Sequence, residues 1–411
     1  MKRILIIGAG RDQVPIIKCA KSLGHFVIVA SRAGSYPGFE LADRCLRIDI
    51  RDYATLIQAA KASAIDGVIS DQLDAAVLTV ARIARELGLT GPSEKAALLF
   101  TNKRIMRQRS RELGIPVPQF EVVTDVESAV RAAASIGYPV VLKPTDSSGS
   151  RGVQLIRSDE DVRRCFGASA SFSSGGDVLV EEFIKGRQIL ARGFVDEGRL
   201  SLYAYADRGY FGQPHQFVTN STIFPSNIGS ELTQAIVSYH ERLVKDAEVD
   251  FGATGSEWII ENGSNKPVLV EAALRGGGAF ISSDLIPAAY GLDYQSHLIQ
   301  RSLREPVATF DMAALQRRAS AYLCFLLPAG RVQHVSGLEK VRNICGVTKV
   351  FLDELRVGLK VEPASFKGSR FGPILIARKS REEVDAVIRE IRQTLQVTVS
   401  TSSGLAGITW H

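Results

Sequence analysis

The chain has 411 residues, of which 45% are hydrophobic and 23% are charged, and this composition excludes a fibrous or disordered protein. Its apolar stretches are too short to cross a bilayer, so no membrane partner is expected. The formal net charge is +6, but there is no long basic run and no recognisable nucleic-acid module. A small phosphate-rich substrate explains the basic excess equally well, and no nucleic-acid partner is expected.

The cysteines and the N-terminal residues indicate a cytoplasmic protein. Five cysteines are scattered without CxxC spacing, which is typical of reduced thiols rather than of disulfides or a zinc site. The apolar run at residues 4–7 is too short for a signal peptide and leads into a glycine turn.

Residues 1–101 predict a doubly wound α/β domain with a parallel sheet. The apolar runs ILIIGAG, FVIVAS and GVIS alternate with helical patterns at residues 16–23, 53–62 and 75–87. The first run ends in a Gly-Ala-Gly turn, but Gln13 stands where a dinucleotide fingerprint has its third glycine, and no acidic residue ends the second strand. We therefore reject a dehydrogenase.

Three polar residues follow the GVIS strand, namely Asp71, Gln72 and Asp74. Ligands approach open α/β sheets at the carboxyl ends of the strands, so contact with substrate is one interpretation. Capping of the next helix is the role that we expect for at least one of them.

The second region begins with the basic helix NKRIMRQRSRELG. Lys103 lies in its first turn, where a cation is unfavourable unless an anion is close; a solvated lysine is the alternative. Lys143 follows on a predicted strand, before a Gly/Ser-rich loop at residues 146–152. Backbone N–H groups of such a loop can fold over phosphate oxygens, although this is not a Walker loop because GxxxxGK[ST] is absent.

Glu181 and Glu182 end the apolar strand DVLVEE, which a short turn joins to another strand. A backbone hinge with one carboxylate at this position could bind the edge of an adenine. Two solvated acids at a strand end are the simpler interpretation.

Residues 255–278, GSEWIIENGSNKPVLVEAALRGGG, predict a β-hairpin that turns at its Asn-Gly pair. A symmetric turn places Glu257 opposite Glu271. Two opposed carboxylates are destabilising unless a cation lies between them, and oxygen ligands without His or Cys suit Mg²⁺. Arg275 and the glycines after it could approach an anionic ligand closely. An exposed hairpin whose glutamates face water is the alternative.

The order of these motifs resembles that of the ATP-grasp superfamily, which includes biotin carboxylase, the carbamoyl-phosphate synthetase large subunit and the L-amino acid ligases. The resemblance covers most of the chain. It implies ATP clamped between two α+β lobes, with Mg²⁺, or Mn²⁺ as an alternative, held by Glu257 and Glu271. It implies that Lys143 and Arg275 stabilise the transferred phosphoryl group, with the substrate carboxylate as the alternative ligand of Arg275. The nucleotide-binding residues that it implies are Lys103, Lys143, Ser147, Ser148, Gly149, Ser150, Gly152, Glu181, Glu182, Phe183, Ile184 and Gln188.

Two positions depart from the family pattern. Ala273 stands where members commonly have asparagine, two residues after the second glutamate, so one metal contact is missing. Gln188 stands where many members have an acid for the ribose hydroxyls, and an amide can still hydrogen-bond a hydroxyl.

The resemblance also implies three domains. Residues 1–101 would form a pre-ATP-grasp α/β domain, and residues 102–305 the ATP-grasp domain, with a small lid lobe at about 118–200. Residues 306–411, which include the amphipathic helix KSREEVDAVIREIRQTLQV, would form a small α+β subdomain that completes the large lobe. A homodimer is also implied.

The function that we expect is an ATP-dependent carboxylate–amine ligase acting on two small molecules. A carboxylate would attack the γ-phosphate to give an acylphosphate and ADP, and an amine would displace phosphate. The ending TIFPSNI of residues 207–228 is similar to amino acid ligase-like members, and the basic run of biotin carboxylases is absent. The alternatives are a biotin carboxylase-like or aminoimidazole ribonucleotide carboxylase-like enzyme that forms carboxyphosphate, a carboxylate or amide kinase, and a non-catalytic nucleotide-binding module.

Overall fold

The N-terminal region forms a parallel sheet in the computed structural model, which describes residues 1–215, 217–308, 310 and 315–411. The strands lie in the order β3-β2-β1-β4. Their bounds are β1 Arg3–Ile7, β2 Phe26–Ser31, β3 Arg44–Arg47 and β4 Gly67–Ile69. The helices are α1 Val14–Ser22, α2 Pro37–Leu41, α3 Tyr53–Ala62 and α4 Asp74–Leu87. The prediction of a parallel α/β unit is confirmed.

The start of α4 corrects the capping prediction. Asp74 is the first residue of this helix, and the residue before it makes no side-chain cap. Asp74 instead accepts two hydrogen bonds from Arg275, because a bidentate guanidinium offers a stronger partner than a helical N–H. Asp71 is fully buried and accepts from Tyr294 and Gln72. Asp71 and Asp74 therefore join distant elements, Gln72 bonds to Asp71, and none of the three caps α4.

A small antiparallel sheet follows the helices α5 Glu94–Thr101 and α6 Lys103–Glu112. Its order is β5-β8-β6-β7. The strands are β5 Phe120–Val123, β6 Val140–Pro144, β7 Gln154–Ile156 and β8 Val178–Glu182, and the helices that pack on it are α7 Val126–Ile136 and α8 Asp159–Ala170. The small sheet ends with β8, whereas we expected the small lobe to extend to about residue 200.

The next strands belong to a larger sheet. They are β9 Gly186–Asp196, β10 Arg199–Tyr210, β11 Thr219–Phe224, β12 Phe251–Glu261 and β13 Pro267–Ala273, and the helices of this part are α9 Ser230–Asp246, α10 Ile286–Tyr290 and α11 Tyr294–Ser302. β9 pairs with both β10 and β12, so it lies in the middle of this sheet and faces the cleft below the small one. This pairing explains why the small lobe is shorter than expected.

The C-terminal region adds strands to the larger sheet and builds a second small one. Its elements are β14 Ala319–Phe325, β15 Gly330–Ser336, α12 Leu338–Arg342, β16 Val347–Val350, β17 Lys360–Val361, β18 Phe371–Arg378, α13 Arg381–Thr394, β19 Gln396–Thr401 and β20 Gly404–Ala406. The larger sheet has the order β13-β12-β9-β10-β11-β14-β18-β16, and the last sheet has the order β17-β15-β19-β20. The predicted amphipathic helix is α13.

The parallel sheet and the larger sheet share one hydrophobic core. Ile6 and Ile17 of the N-terminal region are buried in the same cluster as Phe194 of β9 and Ile299 of α11. This packing brings the carboxyl end of β4 to the end of β13, where the candidate site lies. None of the helices in the described ranges is long and apolar enough to span a membrane.

Candidate functional site

The hairpin of β12 and β13 has the register that the sequence predicts. Glu257 lies directly opposite Glu271, and Gly255 lies opposite Ala273. The register shifts after Glu257 because Val270 of β13 is an extra residue between the partners of Glu257 and Trp258, and this bulge breaks the regular pairing beside the two carboxylates. Ala273 is buried and brings no side-chain oxygen to the pair. Within the described residues no third acid, histidine or cysteine joins the pair to form a metal-binding group.

Each carboxylate already has a cationic partner. Lys103 Nζ lies 2.9 Å from Glu271 Oε1, and Arg208 of β10 donates to Glu257. Burial opposes ionisation of both acids, but Arg208 holds the pKa of Glu257 below its usual value and Lys103 does so for Glu271. Both carboxylates are therefore charged at neutral pH and available to a hard cation.

A buried ion cluster lies on the small-sheet side of these acids. Glu181 Oε2 is 2.5 Å from Lys143 Nζ, and Glu181 Oε1 accepts from Arg107 Nε at 2.7 Å. Burial lowers the pKa of Lys143 to about 8, against the attraction of Glu181. Burial would raise the pKa of Glu181, but Arg107 and Lys143 hold it below its usual value. The interpretation of Glu181 as a solvated acid is wrong, and its carboxylate is already bonded to these two cations.

Most of the predicted nucleotide residues line one cavity of about 350 Å³ between the small and larger sheets. They are Lys103, Lys143, Ser147, Ser148, Gly149, Ser150, Glu181, Glu182, Phe183, Ile184 and Gln188, together with Glu257 and Glu271. Gly152 is not in this wall. It has a φ of +72°, and a Cβ there would lie 2.9 Å from Phe172. Glycine at this position therefore allows the backbone conformation of the loop and its close contact with Phe172.

Contacts from three directions hold the Gly/Ser loop over the cavity. Lys103 Nζ donates to the Ser147 carbonyl at 2.6 Å, and Ser150 Oγ donates to the Phe217 carbonyl at 2.7 Å. The N–H of Lys367, between β17 and β18, donates to the Gly149 carbonyl at 3.2 Å. The loop is thus connected to α6, to the segment after β10 and to the C-terminal region.

A second cavity, of about 340 Å³, adjoins the first. Glu257, Lys367, Ser148 and Gly149 line both. Arg275 lies in the second wall and not in the first, with its Nε 2.6 Å and its Nη2 2.7 Å from the two oxygens of Asp74. Arg275, for which we expected either the transferred phosphoryl group or the substrate carboxylate as ligand, therefore lines the neighbouring cavity.

The family comparison agrees with this geometry. Residues 108–273 match the ATP-grasp domain family, and this range contains Lys143, Glu181, Glu257 and Glu271. The chain contains an ATP-grasp domain. Residues 324–400 match L-amino acid ligase C-terminal domain 2. The predicted ATP-grasp assignment is confirmed.

The proteins similar to this chain include enzymes with different reactions. The chain is 27% identical over 410 residues to the uncharacterized protein y4rH of Sinorhizobium fredii, covering 96% of this chain and 82% of that protein. It is 30% identical over 186 residues to the formate-dependent phosphoribosylglycinamide formyltransferase of Prochlorococcus marinus, which covers 44% of this chain and 48% of that enzyme. The crystal structure of the L-amino acid ligase from Bacillus licheniformis superposes with a TM-score of 0.82 at 21% identity, covering 98% and 99% of the two chains.

The ATP-grasp site contains cations that sequence reasoning missed. The side chains of Arg192 in β9 and Arg208 in β10 are buried, and Arg107 lies one turn after Lys103 on α6. Arg192 stands inside the apolar run ILARGFV, and a charged residue in such a run is the signal that could have identified it. Arg208 follows Asp207 and carries no such signal. Lys367 lies between β17 and β18, more than a hundred residues after Glu257, and no local pattern identifies it.

The side chains fit the ligands that ATP-grasp enzymes use. Glu257 and Glu271 offer only oxygen donors at one edge of the first cavity, which suits Mg²⁺ with waters and phosphates completing its shell. Lys103 and Lys143 point into the same cavity as the Gly/Ser loop, which suits a polyphosphate. The hinge at Phe183 and Ile184 adds apolar surface for a planar base.

Proposed function

We propose that the chain is an ATP-dependent carboxylate–amine ligase that forms an amide or peptide bond through an acylphosphate. The observation that carries the proposal is the pair of adjoining cavities. One cavity has the dimensions and lysines for ATP, the other is basic, and Glu257 lies in the wall between them. A carboxylate bound in the second cavity would lie next to the end of a triphosphate bound in the first.

The residues of the first cavity would hold ATP and its metal. Glu257 and Glu271 would ligate Mg²⁺, which supplies charge neutralisation at the β- and γ-phosphates. Lys143 and Lys103 would contact the phosphates, exchanging part of their bonds to Glu181 and Glu271 for phosphate oxygens. The Gly/Ser loop, which lines the first cavity, would exclude water from the phosphoryl group.

The two chemical steps are balanced without an added cofactor. A carboxylate oxygen forms a bond to the γ-phosphorus while the bond to the β-bridging oxygen breaks, and ADP leaves. An amine nitrogen then attacks the acyl carbon, phosphate leaves, and the amine loses a proton. Arg275, fixed by Asp74, would hold the carboxylate substrate or the transferred phosphoryl group from the second cavity.

The test is nucleotide turnover by the purified chain with ATP and Mg²⁺ against a panel of carboxylic acids and amines, offered singly and in pairs. ADP and phosphate formed only with an acid and an amine together, and absent in Glu271→Gln, support the ligase. ADP release that depends on bicarbonate favours a carboxyphosphate enzyme, and a stable phosphorylated product favours a kinase. Binding of ATP without turnover across the panel favours a nucleotide-binding module.

A further inference from the structure

Arg192 is a buried cation without a partner. It lies in the middle of β9, is only 6% exposed, and lines the second cavity. Its Nε has no hydrogen-bond partner, and its guanidinium makes no ion pair with any residue that the structure describes. An unpaired buried charge costs stability, so its presence in a strand core requires an explanation.

The backbone around Arg192 leaves space for this guanidinium. A Cβ on Gly255, opposite Arg192 on β12, would lie 2.1 Å from its Nη1. A Cβ on Gly277 would lie 3.0 Å from its Nε. Two glycines therefore form the slot in which the guanidinium lies beside the second cavity.

The neighbouring cations already have their counterions. Arg275 is paired with Asp74 and Arg208 with Glu257, so neither carboxylate is left for Arg192. Burial, and then the charge of Arg275, lowers the pKa of Arg192 to about 10, which leaves it charged at neutral pH. The charge of Arg192 is thus uncompensated.

Two further cations of this cavity also lack a carboxylate partner among the described residues. Arg370 donates to the carbonyls of Thr219 and Lys367 and to Thr219 Oγ1, all of them neutral oxygens. The ammonium of Lys367 makes no hydrogen bond or ion pair with the residues that the structure describes, and Lys367 lines both cavities. The cavity therefore has an excess of positive charge.

The acids of the same wall offer no counterpart for an ammonium group. Asp74 and Glu257 are occupied by arginines, and Glu257 is also a proposed metal ligand. Asp12 lies at the cavity edge, where more than a third of its side chain is exposed and Arg11 is its neighbour. A zwitterionic amino acid would leave the positive excess unchanged, because its two charges cancel.

We propose that the activated substrate is a small carboxylic acid with a second anionic group, a carboxylate or a phosphate, bound by Arg192, and without a free ammonium group. This inference rests on the proposed function for the identity of the reacting carboxylate. The second anion neutralises Arg192, and Lys367 and Arg370 lie in the wall of the same cavity. An arginine is suited to this role because its fork binds both oxygens of either anion.

The test compares four acids of similar length with the full-length protein: glutarate, 3-phosphonopropionate, valerate and L-norvaline. Thermal shift and calorimetry measure binding, and ADP release with amines measures turnover. Glutarate or 3-phosphonopropionate should bind at millimolar concentration or below, and the better of the two identifies the anion. Valerate and L-norvaline should bind at least about tenfold more weakly, since a charged hydrogen bond is lost.

Two variants separate binding from folding. Arg192→Met should raise the melting temperature without ligand, because an unpaired buried charge is replaced by an apolar chain, and should weaken binding of the dianion about 10- to 100-fold. Arg192→Lys should retain part of the affinity. Arg331→Met, at an exposed position of β15, is the matched control and should change neither quantity.

Three results would overturn the inference: L-norvaline or valerate binding as well as the dianions, no binding of either dianion, or a lower melting temperature for Arg192→Met with dianion affinity intact. Dianion binding that depends on Arg192, with no ADP formed with any amine, would support this site and contradict the ligase. ADP formation with L-norvaline and an amine would support the ligase and contradict the dianion site.

Discussion

Asp74 and Arg275 form a bidentate ion pair, with Nε–Oδ1 and Nη2–Oδ2 distances of 2.6 and 2.7 Å. The first begins α4 of the N-terminal region, and the second follows β13 of the larger sheet. The pair joins these two units at the second cavity and determines where Arg275 faces. A candidate catalytic arginine is therefore oriented by a residue that lies outside the matched ATP-grasp range.

Asp74→Asn should release Arg275 and weaken the contact between the two units. We expect a loss of about 1–3 kcal/mol in the free energy of unfolding, because one partner of a partly buried charged pair remains. We also expect the substitution to raise the KM for the acid substrate more than it raises the KM for ATP. Urea unfolding and steady-state kinetics measure the two effects. Asp353→Asn removes an exposed partner of Arg342 and should cost less than about 0.5 kcal/mol; equal losses in both variants would contradict this prediction.

The affinity for ATP should fall as the pH rises above about 8. Lys143 has its pKa lowered to about 8 by burial, so it is protonated below that pH and loses its charge above it. Phosphate oxygens favour the charged form, so the affinity should be constant below pH 8 and decrease by up to about tenfold per pH unit above it. Nucleotide titrations between pH 6.5 and 9.5 measure this.

Lys143→Arg is the control for this titration, because a guanidinium stays charged throughout the range. Its ATP affinity should vary little with pH, whatever its absolute value. A wild-type affinity that does not change up to pH 9.5 would show that Lys143 does not contact the phosphates or is not titrating.

Glu271→Gln should remove most of the gain in nucleotide affinity that Mg²⁺ provides, by about tenfold or more, because the metal loses one of its two proposed carboxylates. Nucleotide binding without metal should persist, since Lys103 is freed from its pair with Glu271. Calorimetry with and without Mg²⁺ measures both. Glu261→Gln changes a glutamate at the end of the same hairpin, where it accepts from Ser264 Oγ, and should leave the metal effect unchanged. A Mg²⁺ effect that survives in Glu271→Gln would exclude this residue as a ligand.

Gly276→Ala should destabilise the protein by about 2–4 kcal/mol, through steric strain and the loss of a buried hydrogen bond. The new Cβ would lie 1.9 Å from Asp71 Oδ1 and 2.0 Å from the Tyr294 hydroxyl, which are bonded to each other at 2.5 Å. Gly278→Ala is the matched control, because a Cβ there meets nothing within 4 Å, and it should stay within about 0.5 kcal/mol of wild type. Chemical denaturation distinguishes the two, and similar stabilities would contradict the packing around Asp71.

The sequence alone determined the features that follow from backbone periodicity. Alternation of apolar runs and helical patterns predicted the parallel sheet, and the symmetry of a hairpin about its turn predicted Glu257 opposite Glu271. Lys103 in the first turn of a basic helix indicated a nearby anion, and Glu271 is there. These inferences succeed because they depend on residues that are close in the chain.

Tertiary structure alone decided which charges meet. Glu181 is buried between Lys143 and Arg107 because separate parts of the chain pack together there. The glycine slot that holds Arg192 arises in the same way. Arg275 turned to Asp74 rather than to the first cavity because the N-terminal region lies against the end of β13. A charge is neutralised by whichever partner the packing brings within hydrogen-bond distance, and that partner is often far away in the chain. Sequence spacing therefore predicted the opposed carboxylates, whereas only the fold showed the unpaired cation near them.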